Sequence, residues 1–233
     1  MPPLTLVDAT HAALRLLLSG DPDLWGIVGV SLSVTLRAML IAMPLGVGAG
    51  YLLATLRFPG RRVVVVVVQG LLASPTVVVG LLLYLLLSRQ GVFGQLQLLF
   101  SQTAMVIGQV LIALPVLIAF SLSAIQGADP RARETAVALG AAAPRVAWTM
   151  LVEVRFALMA AVCNAFGRVV SEIGCSLMVG GNIAGVTRNI PTAIALETSK
   201  GDFAQGIALG IVLMVVARGI NSAFAFFQGE SRR

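Results

Sequence analysis

The chain has 233 residues, of which 58% are hydrophobic and only 11% charged, with a mean hydropathy of +0.96. Soluble domains carry roughly a quarter charged residues, so this composition excludes a soluble globule and points to a membrane protein. The formal charge of +6 comes from fifteen arginines and one lysine scattered along the chain, which excludes a dense nucleic-acid-binding patch.

The first 23 residues do not read as a signal peptide. The apolar stretch 12–18 is short, is interrupted by Arg15, and runs into Asp21, Pro22 and Asp23. It reads as a short interfacial helix on the extracytoplasmic side. Five transmembrane helices follow, at about 24–54, 63–88, 98–121, 156–179 and 203–227. Each is long enough to cross a hydrocarbon core of roughly 30 Å. The second opens with six consecutive valines; its length favours a membrane helix over a strand. Pro44, Pro75 and Pro115 fall inside the first three spans, where proline kinks a helix that its neighbours then satisfy. Gly46, Gly48 and Gly50 make a small face suited to close helix approach. Residues 229–233 form a tail.

Orientation follows from the arginines. Nine basic residues lie on the side of the 55–62 and 126–155 loops and the carboxyl terminus. Four lie on the other side, and Arg37, Arg168 and Arg218 fall inside spans. The positive-inside rule places the amino terminus outside and the carboxyl terminus inside.

The cytoplasmic loop 126–153 has its own signals. Asp129-Pro130 is a helix start, an N-cap followed by a proline whose missing N–H costs nothing in the first turn. Arg133 and Glu134 follow, with Glu134 near the positive end of the helix dipole. Gly140 is placed to end the helix, and Pro144 opens a second one leading toward the fourth span.

Within the fourth span, Arg168 and Glu172 stand four residues apart and so share a helix face. Intramembrane charges are costly and mark functional sites; the pair is read as a gate element or a structural ion pair. Cys163 and Cys175 lie twelve residues apart, about 18 Å along a helix, too far for a bridge. With His11 the sole histidine, no metal site is expected. The segment GGNIAGVTRNIPT at 180–192 follows, and Asn182, Thr187 and Arg188 offer donors and one positive charge at the outer mouth, as a path element or as part of the outer gate. No GxxxxGK[ST] phosphate loop is present, so no nucleotide site and no catalysis are expected of this chain.

Glu134-Thr135-Ala136, then Gly140, then Met150-Leu151-Val152 resemble the EAA motif of ABC importer permeases. Thr135 replaces the first alanine, and Glu153 stands where proline often closes the motif. The similarity extends over about 31–227. SLSVTLRAMLIAMPLGVGAGYLLATLRFPGRR and SPTVVVGLLLYLLL look like core spans of the molybdate, tungstate and sulfate importer group. VGGNIAGVTR and IALETSKGDF look most like the tungstate-uptake permeases.

The resemblance implies an all-α membrane protein of the type I ABC importer permease (MetI-like) fold, with its transmembrane domain over 24–228. It implies that Asp129, Arg133, Glu134, Ala136 and Gly140 dock onto a separate ATPase subunit, which holds ATP and Mg. An extracytoplasmic tungstate-binding protein would deliver the cargo. Too few spans to line a path alone imply a homodimer in the bacterial-type inner membrane. Two alternatives stand beside this: the same machine moving molybdate or another oxyanion, and a lone ion-coupled carrier or channel. The glycine-turned loop and the lack of an inverted repeat argue against the second.

Overall fold

The computed structural model describes residues 6–229, and the expected tail beyond Gly229 lies outside them. Among the described residues the secondary structure is helical throughout: α1 (Leu6–Ser19), α2 (Pro22–Thr55), a loop and α3 (Arg61–Leu72), α4 (Thr76–Leu87), a 3-10 turn, α5 (Gln102–Gln126), α6 (Pro130–Ala138), α7 (Ala143–Glu153), α8 (Arg155–Val170), α9 (Gly174–Gly180), α10 (Ile190–Lys200) and α11 (Phe203–Gly229).

The centre of the bundle is the pair α2 and α5. Asp21 opens α2 by accepting from the Leu24 N–H at 2.9 Å, with Pro22 in the first turn, and Ser101 opens α5 by accepting from the Ala104 N–H. These caps satisfy donors that a helix start leaves orphaned. Gly46 faces Leu117 and Gly50 faces Ser121, the same four-residue step on both helices, so the two run parallel. Val34, Ala38, Met105, Leu117, Val169 and Val179 close the main core between α2, α5, α8 and α9. A second cluster joins α1, the start of α2, α10 and α11 through Ala13, Leu24, Ile190 and Leu209.

By length and composition α2, α5 and the 203–220 part of α11 suffice to cross a membrane, and up to five spans result if each of two bent helix pairs counts as one. The bends are sharper than the kinks expected at the prolines, and two of the expected spans are divided outright. The second expected span is two helices, α3 and α4, meeting at 104°. Pro75 does not sit inside a helix: it is the N-cap of α4, with φ −63° and ψ 123°. It has no N–H for a helical bond and bars the preceding residue from helical backbone. The Ala73 and Ser74 N–H groups turn back to the Gly70 and Leu71 carbonyls and finish α3.

The fourth expected span, 156–179, is also divided. Helix α8 ends at Val170, residues 171–173 are non-helical, and α9 begins at Gly174. The Ser171 hydroxyl donates back to the Gly167 carbonyl at 2.8 Å, and the Glu172 carboxylate takes the Cys175 N–H at 2.9 Å. Side chains thus occupy the backbone groups that would carry the helix through. The apolar pair that qualifies as a broken span is instead α7 with α8, bent by 71°.

Candidate functional site

At one end of the bundle α6 stands out from the core, with no buried residue. Asp129 accepts from the Arg131 N–H at 2.9 Å, and Pro130 fills the first turn. At the other end of α6, the Gly140 N–H donates to the Val137 carbonyl at 2.9 Å and the Ala141 N–H to the Ala136 carbonyl at 3.0 Å. That bond pair is a Schellman ending, and Gly140 supplies its left-handed residue with φ +76°. Arg133 and Glu134 point into solvent, and Ala136 is half-buried. Leu139 is 82% exposed and Trp148 69% exposed. A groove of about 870 Å³ runs between α6 and α7, lined by Arg131, Thr135, Ala136, Leu139 and Arg145. The five predicted coupling residues therefore share one short, capped, solvent-facing element with apolar side chains at its tip.

The segment 181–189 lies beyond α9, near the opposite end of α5. The 25 residues of α5 separate the two ends by about 37 Å at 1.5 Å per residue. The three candidates here are drawn together but do different things. Thr187 is fully buried; its hydroxyl donates to the Gly180 carbonyl at 2.6 Å and accepts from the Ile183 N–H at 3.0 Å. It ties the loop and offers nothing to a solute, contrary to its reading as a path donor. Asn182 sits at φ +51°, and its Oδ1 is buried without a hydrogen-bond partner. Arg188 is half-buried, and its Nε is likewise unpartnered. Asn189 and Thr192 close the segment with a reciprocal capping box. Thr187→Val is expected to cost about 1–3 kcal/mol, because it orphans a buried carbonyl and a partly buried amide; a thermal melt unchanged from wild type would exclude this role.

Arg168 and Glu172 do not pair. With the helix interrupted between them, the four-residue spacing no longer sets a common face. Glu172 is buried on the α9 start, while Arg168 is partly exposed and lines an apolar groove of about 240 Å³ with Leu71, Thr76, Leu83 and Pro115. Among the described residues the ion pair within 4 Å is Glu197–Lys200, at 3.0 Å. The gate-pair reading is therefore corrected to two separate groups.

One constellation was not singled out in the sequence. The Arg37 guanidinium, on α2, donates to the Ser33 carbonyl and hydroxyl at 3.1 Å, and through Nη2 to Ser33 Oγ and to Gln102 Oε1 at 2.6 Å. Gln102 Nε2 in turn donates to the Val186 carbonyl at 2.8 Å. This chain of bonds ties α2, the start of α5 and the 181–189 segment. An arginine within an apolar span was the available signal; Gln102, at the start of a helix, gave none.

No protein-family model matches the chain. The chain is 38% identical over 210 residues to a probable anion ABC transporter permease protein of Haloferax volcanii, covering 88% of this chain and 90% of that one. It is 37% identical over 216 residues to the tungstate uptake system permease protein TupB of Campylobacter jejuni (93% and 90% covered). The molybdenum transport system permease protein ModB of Escherichia coli is 28% identical over 213 residues (84% and 93%). Among solved structures, an amino acid ABC transporter with histidines superposes with a TM-score of 0.66 at 16% identity, over 91% of this chain and 96% of that one. The methionine transporter MetNI in an inward-facing form gives the same TM-score and identity, over 92% and 95%. These last two likenesses concern the fold alone.

Proposed function

We propose a function from one premise: this chain belongs to the permease family of ABC transporters. It is a multi-pass membrane protein and a transport component, and family membership sets aside the lone ion-coupled carrier. The cargo is tungstate or a related oxyanion, a reading supported by two TupB relatives at 34% and 37% identity. The ModB relative supports molybdate as the neighbouring choice. ATP is hydrolysed on a separate subunit, which α6 engages through the EAA-like stretch. A binding protein delivers the anion at the 181–189 end, and two copies of the chain enclose the path in a cytoplasmic membrane, with α6 on the cytoplasmic side.

The observation that carries the docking role is the exposure of α6 with Leu139 at its tip. An apolar side chain left 82% exposed beyond the core has nothing among the described residues to bury it, and suits a groove in a partner. Leu139→Asp is expected to cut ATPase co-purification and tungstate uptake by at least about tenfold, the scale of a lost interface anchor, with an unchanged melting temperature. Undiminished co-purification would refute the docking assignment.

A further inference from the structure

We propose that Arg37 is an anion-recognition residue of the translocation path, reading the charge of the oxyanion through its free guanidinium edge. The inference rests on the oxyanion-importer function above and deepens it by assigning a residue to the cargo.

Three observations carry it. First, Arg37 lies fifteen residues inside α2, in a helix apolar enough to cross the membrane. Yet it is exposed in the single chain, between exposed Leu36, Leu40 and Ile41. A charge on that face is strongly disfavoured against hydrocarbon, so the face meets water in the path. Second, the charge is not neutralised. The partners of Arg37 are a carbonyl, a hydroxyl and an amide oxygen, and no carboxylate pairs with it among the described residues. Third, Nε and Nη2 are held by Ser33 and Gln102, while Nη1 has no partner among the described residues. A guanidinium fixed along one edge and free on the other presents fixed donors to a tetrahedral oxyanion.

Arg168 and Arg218, the other arginines inside spans, are likewise accessible and without a carboxylate partner among the described residues, but neither is held along one edge. Arg168 sits in an apolar groove without polar partners to aim it. The 181–189 segment differs too: Thr187 is spent on its own backbone, and the unpartnered Nε of Arg188 is buried rather than presented to solvent. The Gln102 link places Arg37 beside that segment, at the end of the bundle where an anion would enter.

The test uses the complete complex of permease, ATPase and binding protein in vesicles, with tungstate as the transported probe. Arg37→Gln is expected to lower uptake by at least about tenfold, the scale of one charged hydrogen bond, while Arg37→Lys, which keeps the charge but not the fixed fork, falls between Arg37→Gln and wild type. Arg37→Cys extends the test within an assembled complex. A water-soluble cationic methanethiosulfonate reagent should restore uptake, and an anionic one of similar size should not. Uptake by Arg37→Gln within twofold of wild type overturns the proposal. So does a cysteine that stays unreactive in the complex, or one restored equally by both reagents. A wild-type complex that imports no tungstate overturns the importer function itself, a failure visible before any variant is made.

Discussion

Gly140→Val is expected to abolish coupled uptake while leaving the helical bundle intact. Gly140 sits at φ +76°, where a side chain costs about 1–2 kcal/mol, more for a β-branched one. The bonds at risk are those that end α6, from Gly140 to the Val137 carbonyl and from Ala141 to the Ala136 carbonyl. A Cβ on Gly140 would meet nothing within 4 Å, and α6 has no buried residue, so neither strain nor clash reaches the core. The melting temperature should match wild type, while ATPase association falls at least about tenfold, as for loss of a well-placed interface contact. Leu139→Asp tests the contact surface and Gly140→Val tests its geometry. If valine leaves association unchanged, the angle at which α6 is presented is irrelevant to docking.

The second large effect lies in the core. A Cβ on Gly50 would stand 2.7 Å from Ser121 Cβ and 2.9 Å from the Ile118 carbonyl oxygen. The obstacle is therefore the α5 backbone rather than a movable side-chain tip, and α2 and α5 must separate to admit even a methyl group. Overpacking of this kind costs about 1–3 kcal/mol. Gly48, two residues earlier on the same helix, has nothing within 4 Å of the corresponding position, and alanine there is favoured by about 0.5–1 kcal/mol of helix propensity. Gly50→Ala should thus melt well below wild type in detergent, and Gly48→Ala at or above it. Equal melting of the two would mean that the parallel contact of α2 and α5 is not as close as described. The pairing matters for transport because α2 carries Arg37 and α5 carries Gln102 at the same end.

Much was legible before any folding. Composition placed the chain in a membrane, and Asp129, Pro130 and Gly140 marked both ends of α6, because caps act over three or four residues and leave their signature in the local sequence. The same local reasoning failed where a break was masked by hydrophobicity. Pro75 read as a kink, but with Ser74 barred from helical backbone it became a near right-angle between α3 and α4. The interruption at 171–173 was harder, since no proline marks it; there the Ser171 hydroxyl and Glu172 carboxylate displace the helix from its own backbone groups. The supposed Arg168–Glu172 pair failed with it, since a four-residue spacing implies proximity only along an unbroken helix.

What the sequence by itself determined is the class of protein and the form of the α6 turn, both products of hydrophobic content and short-range capping. Only the tertiary structure decided which polar groups are available to a solute. Thr187 and Arg37 looked alike as isolated polar residues among apolar ones, yet one is buried against its own backbone. The other keeps a free edge because Ser33 and Gln102, the latter 65 residues distant, hold the rest of it. Such pairing depends on how helices pack across long sequence separations, and neither propensity nor periodicity records it.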